Sequence, residues 1–265
     1  MNMIVCIKQI LDPDIPPAKF KVDSEGLKVV PPAGIPPVIN PYDANAVELA
    51  LTLKDRYGGT VTVLTVGRTA VDAVKHALAM GADEAFILAD ESFEGSDSYS
   101  IAAILTYAIK KTGSFDLVLF GRQAADWDEG VVGPIVAERL GLPLVTLAKA
   151  VDMEGQELRM TRSTLSGDQV FGVPTPAAAT VGSEAGQPRL PSGMGIIKAA
   201  RKQVPVWSAA DMGIDASDVG AAVARRRLVT LFIPDRDRTC EMIGGETPED
   251  AGSKLADRLR EVGAL

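Results

Sequence analysis

Residues 60–121 read TVTVLTVGRTAVDAVKHALAMGADEAFILADESFEGSDSYSIAAILTYAIKKTGSFDLVLFG, and this stretch decides the fold. Three short runs, TVTVLTVG at 60–67, EAFILAD at 84–90 and FDLVLFG at 115–121, are rich in β-branched and aliphatic residues. Two segments of helical periodicity lie between them, AVDAVKHALAMGA at 70–82 and SDSYSIAAILTYAIKKTG at 96–113. Strands interleaved with helices in this way build right-handed βαβ units around a parallel sheet.

Working outward, MIVCIKQI at 3–10 is a continuous apolar run, as expected for a strand covered on both faces. The Pro-rich stretch from Pro13 to Pro41 forbids long regular structure. A helix is expected to start at Asp43, with Val47, Leu49, Ala50, Leu51 and Leu53 as its core stripe and Gly58 and Gly59 at its end. Beyond residue 121 follow a helix over 130–141 and a short strand, LPLVTL. From Lys149 to Val173 polar and apolar residues alternate around Gly155 and Gly167, which predicts an antiparallel hairpin on the sheet edge. AAATVG at 177–182 is expected to return a strand to the core.

After Gly186 the regular pattern stops, and QPRLPSGMGIIKAARKQVP at 187–205 is expected to be an exposed segment. A basic triplet, Arg225 to Arg227, leads into the strand-like LVTLFIP, and TPEDAGSKLADRLREVGAL is a helix with Thr247 as N-cap and Pro248 at its first position. The expected class is α/β: an open, mostly parallel, Rossmann-like sheet with helices on both faces, an edge hairpin and a C-terminal arm. Residues 1–205 form the nucleotide-binding domain in this reading, and 206–265 the arm and helix that pack on a partner chain.

The 265 residues carry a net charge of −8, which argues against nucleic acid as a partner because phosphate neutralisation needs clustered Lys and Arg. Two cysteines, Cys6 and Cys240, lack disulfide or zinc spacing, and the single histidine, His76, leaves little for a Ser-His-Asp triad or a two-histidine metal motif. No apolar run approaches membrane-spanning length, so no membrane insertion is expected.

In an open parallel sheet, ligands bind beyond the carboxyl ends of the strands, where the connections diverge. The residues that follow the strands here are Lys8, Gln9 and Asp12, then Gly67 and Arg68, then Gly121-Arg122-Gln123-Ala124-Ala125-Asp126. The last group runs into a helix start near Gly130, where unpaired N–H groups and the helix dipole favour an anion. Arg122 can add a charge-assisted contact. The competing reading is an ordinary βα loop with a glycine turn. Asp126, Asp128 and Glu129 would repel an anion unless they point outward or meet cations. In Asn40-Pro41-Tyr42-Asp43, Asn40 is held extended by Pro41 and Asp43 can cap the helix, and a cap alone is the plainer reading of Asp43. The chain has no GxxxxGK[ST], no GxGxxG between strand and helix, and no SGGxDS loop.

With INPYDANAVELAL, VLTVG, ALAMGADEAFIL, DLVLFGRQAAD and PRLPSGMGIIKAARK in this order, the chain resembles the electron transfer flavoprotein β-subunit family. The resemblance spans nearly all of residues 1–205. It implies a fold like that of the adenine nucleotide α-hydrolases and a role in passing electrons between a dehydrogenase and a redox partner, as a carrier subunit rather than a stand-alone enzyme. It implies an α subunit that carries or shares FAD, and AMP or a second FAD in this chain. The nucleotide contacts map onto Cys6, Asn40, Pro41, Tyr42, Asp43, Val66, Gly121, Arg122, Gln123, Asp126, Asp128, Gly130, Val131 and Val132. The family's docking loop for an acyl-CoA-type or other flavin dehydrogenase maps onto Pro188 to Arg201, with Pro188, Arg189, Met194, Ile196 and Lys198 as contacts.

Two departures stand out. Trp127, Glu129, Gly130, Val131 and Val132 replace small or hydroxyl residues, which would move phosphate contacts to backbone N–H groups. Gly193-Met194 stands where mitochondrial members present an apolar leucine. The KQILDPD and INPYD spellings look bacterial and anaerobic, which implies a cytoplasmic protein and admits an electron-bifurcating, NADH-dependent alternative. A second alternative, a stand-alone adenine-nucleotide-binding regulator, would normally show a Gly-rich phosphate loop after its fourth strand and no long polar arm.

Overall fold

The computed structural model describes residues 1–235 and 240–265. In chain order, β1 (Asn2–Cys6), β2 (Gln9–Ile10), β3 (Lys21–Asp23), β4 (Lys28–Val30) and β5 (Val38–Ile39) precede α1 (Pro41–Tyr57). Then β6 (Thr60–Val66), α2 (Val71–Met80), β7 (Glu84–Leu88), α3 (Ser98–Thr112), β8 (Leu117–Gly121) and α4 (Val132–Leu140) alternate. An antiparallel excursion follows, β9 (Leu144–Glu154), β10 (Glu157–Thr164) and β11 (Gly167–Pro174), and β12 (Ala177–Val181) returns the chain to the core. The remainder holds α5 (Gly193–Arg201), β13 (Val206–Trp207), α6 (Ala209–Met212) and α7 (Pro248–Glu261).

The main sheet has the order β11-β10-β9-β12-β8-β1-β6-β7-β13. Its strands from β9 to β13 in that order run parallel, and β10 is antiparallel to both β9 and β11. The α/β class and the edge hairpin are therefore as the patterning predicts. Apolar positions alternate between two cores. Met3, Val5, Val61 and Val63 meet α1 and α2 on one face, while Ile4, Cys6, Leu64 and Val118 meet α3 and α4 on the other. Each fully buried Leu, Ile or Val contributes about 1.5–3 kcal/mol, so the two cores clamp the hydrogen-bonded sheet from both faces.

The structure departs from the sequence reading at several places. The run 3–10 does not continue as one strand. The Lys8 N–H donates to the Asp43 carboxylate at 2.6 Å and its carbonyl accepts the Asn40 N–H at 2.9 Å, so the chain leaves the sheet after Cys6 and Gln9–Ile10 pairs with Val38–Ile39 instead. The first long helix begins at Pro41, with Asn40 in the cap position, and Asp43 lies inside the first turn. The segment expected to be irregular after Gly186 contains α5, because the Ser192 hydroxyl accepts the Gly195 N–H and caps a helix there. Gly195 also lets that helix sit against α2: a Cβ at this position would stand 2.3 Å from the Ala79 carbonyl oxygen.

The tail stays with the core longer than its composition implies. β13 pairs with β7, the Trp207 ring stacks on Phe86 with centroids 4.0 Å apart, and Ile214 and Val219 are buried. From Val223 to Asp235 the chain has no regular structure, and Val229, Phe232 and Ile233 are exposed. LVTLFIP at 228–234 therefore joins no strand among the described residues. α7 forms where expected, with the Thr247 side chain accepting from the Asp250 N–H, and it buries no residue.

Candidate functional site

From β1 the chain steps through β6 and β7 in one direction and then crosses to β8 on the other side of β1. The carboxyl ends of β1 and β8 therefore flank the point where connections diverge, the place where an open α/β sheet binds its ligands.

Two side chains from the head of α1 tie these strand ends together. Asn40, 1% exposed, donates through Nδ2 to the Gln123 carbonyl at 2.8 Å and accepts the Ala125 N–H at 3.1 Å. Asp43, 6% exposed, accepts the Lys8 N–H through Oδ2 at 2.6 Å and the Gly121 N–H through Oδ1 at 3.0 Å. Burial pushes the Asp43 carboxyl up to about 7, against the pull of the N–H groups of Lys8 and Gly121 and the Asn40 side chain. Burial, reinforced by the Asp43 charge, also raises the Cys6 thiol, which lies in the α3 side of the core. Asn40 and Asp43 thus shape the loop after β8 from beneath, whereas Pro41 is exposed and Tyr42 half-buried.

Gly121 is required at the end of β8: a Cβ there would stand 2.3 Å from Asp43 Oδ1 and 2.9 Å from the Asp43 nitrogen. In the loop, Asp128 and Gly130 adopt φ of 52° and 63° and turn the chain into α4. Among the described residues, the N–H groups of Gly130, Val131, Val132 and Gly133 donate to no protein acceptor, and Pro134 has none to offer. Four consecutive free N–H groups followed by a proline are what an anion cradle at a helix start consists of. Val131 is exposed and Val132 half-buried, so the cradle is backbone with an apolar rim.

The three carboxylates of this loop are all engaged. Lys8 Nζ binds both oxygens of Asp126, at 2.8 and 2.6 Å, Gln123 Nε2 donates to Asp128 at 2.7 Å, and Arg226 Nη1 donates to Glu129 at 2.7 Å. Their repulsion of an anion is correspondingly reduced. Arg122 is engaged by its neighbours. Its Nε donates to Gln123 Oε1 at 3.1 Å and its guanidinium lies 5.4 Å from the centre of the Tyr42 ring. Trp127 is 49% exposed.

Beyond the ends of β6 and β7 lies an open crevice of about 480 Å³, within the range of ligand sites. Val66, Phe93 and Ile101 line part of it, but polar groups, with Arg68, Asp90 and Glu94 among its residues, make the larger share of its surface. Ile101 belongs to α3, whose first residue, Ser98, donates to Glu129 of the loop. The crevice and the helix-start cradle therefore flank the same turn of α3. No cluster of His, Cys, Asp or Glu among the described residues is arranged to hold a metal ion, and no helix among them is long and apolar enough to cross a membrane.

The segment 188–201 lies apart from this site, on α1 and α2. Arg189 is clamped: Nε and Nη2 meet the two oxygens of Glu48 at 2.7 and 2.9 Å, and Nη2 also meets Asp55 at 2.9 Å. Burial opposes ionisation of Glu48, but the Arg189 hydrogen bonds outweigh it and hold the carboxyl below its ordinary value. At the other end of α5, Lys75 Nζ donates to the Ala199 carbonyl at 2.7 Å. Pro188 is half-buried, and Met194, Ile196 and Lys198 are exposed together with Leu190 and Ile197. Sequence reading alone missed Glu48 and Asp55, and the pairing of Glu129 with Arg226, because surface carboxylates and a basic triplet carry no mark of partners so distant in the chain.

Known proteins share this arrangement of sequence. The family model described as the electron transfer flavoprotein domain matches residues 29–212. An electron transfer flavoprotein subunit beta from Thermoanaerobacterium thermosaccharolyticum is 38% identical over 261 residues, covering 98% of both chains. Subunit CarD of a caffeyl-CoA reductase-Etf complex from Acetobacterium woodii is 35% identical over 263 residues, again covering 98% of both. Protein FixA of Azorhizobium caulinodans is 38% identical over 243 residues, covering 88% of this chain and 85% of its own. The family match and this near-complete coverage, on a sheet whose switch point is built as described, establish that the chain belongs to the electron transfer flavoprotein family, as a β-type subunit.

Proposed function

We propose that this β-type subunit binds an adenine nucleotide at the β1–β8 switch point and works in a heterodimer with an electron transfer flavoprotein α subunit that carries FAD. The observation that carries the reading is the run of free N–H groups at Gly130 to Gly133, beside a loop whose carboxylates are all neutralised or hydrogen-bonded. The AMP moiety is common to AMP and FAD. Its phosphate suits that run, and its adenine, which has both an apolar face and hydrogen-bonding edges, suits the mixed crevice lined by Val66, Phe93 and Ile101.

In the same reading, the exposed apolar arm and α7 pack on the α subunit. The edge of Leu190, Met194 and Ile197 docks a flavin dehydrogenase, of the acyl-CoA type or another, in the cytoplasm. Arg189 sets the position of that edge from within, since its guanidinium is already occupied by Glu48 and Asp55.

Co-expression with the α subunit tests the assignment. Light scattering of the purified material should give a 1:1 heterodimer with a flavin spectrum, and the chain expressed alone should aggregate through its arm. A well-behaved monomer that ignores the α subunit would point to the stand-alone regulator instead.

A further inference from the structure

One of the loop carboxylates leads out of the nucleotide site. Glu129 is held by the Ser98 hydroxyl at the head of α3 and by Arg226 at the root of the C-terminal arm, the latter at 2.7 Å. The residue before Ser98, Asp97, caps α3 by accepting the Ser100 N–H at 2.9 Å through Oδ1. Its other oxygen accepts the N–H groups of both Arg225 and Arg226, at 2.8 and 2.9 Å. The Arg225 guanidinium lies 3.7 Å from the centre of the Tyr99 ring, and Arg139 of α4 approaches the same ring at 5.6 Å. Just upstream, the Gly220 N–H donates to the Ser100 hydroxyl at 2.6 Å.

The first turn of α3 therefore holds two things at once: the loop that enters α4 and the point where the arm leaves the core. Beyond Val219 and Gly220 no described residue is buried, so these polar bonds, rather than apolar packing, set the direction in which the arm departs.

We propose that Glu129 and Asp97 are positioning residues that couple the two functions, so that nucleotide binding in the loop and the arm's grip on the α subunit are thermodynamically linked. An occupied loop holds Glu129 still, Glu129 holds Arg226, and the arm then reaches its partner with less conformational freedom left to lose. The linkage is reciprocal: whatever factor the nucleotide contributes to the heterodimer, the α subunit contributes to the nucleotide. This inference rests on the nucleotide reading above.

The test measures the heterodimer dissociation constant with and without saturating AMP, the half common to both candidate nucleotides, on heterodimer first stripped of the nucleotide in this subunit. AMP should tighten the wild-type heterodimer about fivefold. In Glu129→Gln, Arg226→Gln and the double variant the ratio should fall to about one, whereas Arg226→Lys, which keeps a cation, should retain most of it. A generally weakened interface would raise both constants and leave the ratio alone. If wild type binds AMP but shows no ratio, or both glutamine variants keep it, the coupling is refuted while the nucleotide site stands. If the wild-type heterodimer has no affinity for AMP, the site and the coupling fall together.

Discussion

The Asp43 carboxylate accepts the backbone N–H of Gly121 at 3.0 Å, closing a contact across 78 residues of chain and fixing the end of β8 against the head of α1. The same carboxylate holds the N–H of Lys8. One buried side chain thus sets the spacing of the two strand ends between which the family's ligands are expected, and its surroundings make its charge costly.

Asp43 has a raised carboxyl in the fold, from 3.8 to about 7, so its contribution to stability is complete below pH 3.8 and is lost as pH rises through 7. Within that window the slope is on the order of 1.4 kcal/mol per pH unit. In Asp43→Asn this slope disappears. Thermal melts of both proteins from pH 4 to 8 should show the difference between wild type and variant shrinking as pH rises. A constant difference would mean that Asp43 is ionised throughout.

Gly121→Ala forces a methyl group against Asp43 Oδ1 and the backbone of residues 42 and 43. Overpacking of this kind costs about 1–3 kcal/mol, and here the strain falls on the switch point itself. The variant should melt lower and lose adenine nucleotide faster during gel filtration. Unchanged melting would show that the contact gives way freely.

Arg189→Gln removes a bidentate charge-assisted contact with Glu48 and the contact with Asp55. Its amides from 187 to 201 should exchange faster with solvent, by about tenfold for a loss of ~1.4 kcal/mol, while those of β1 and β8 stay protected. Equal exchange across 187–201 would show that α5 is held by its packing on α2 alone.

Met194 is 62% exposed on the outer side of α5, so Met194→Glu should leave the melting temperature and the flavin spectrum as they are. It should slow electron exchange with the dehydrogenase by desolvating a charge at the contact. An unaltered rate would place the docking surface elsewhere.

The sheet was legible in the sequence because parallel strands covered on both faces must be apolar throughout, and the helices between them must carry one apolar stripe. The loop after β8 stood out as a candidate for its position, a glycine-led polar segment running from a strand end into a helix start, although an ordinary βα turn has the same spelling. Polar clamps were not. Glu48 on α1 looks like any solvated helix carboxylate until Arg189 arrives 141 residues later, and α5 is only nine residues long, set among prolines and glycines that read as irregular chain. Arg122 reads as a phosphate ligand from its place after a strand, but its contacts with the Tyr42 ring and the Gln123 side chain carry no mark in the sequence.

The central claim is that this subunit carries an adenine nucleotide of its own. Denaturing the purified heterodimer and separating the released small molecules by chromatography tests it most directly. Two adenine-containing molecules per heterodimer are predicted, one being the FAD of the α subunit and the other a second FAD or AMP. Release of a single FAD and nothing else would contradict the account.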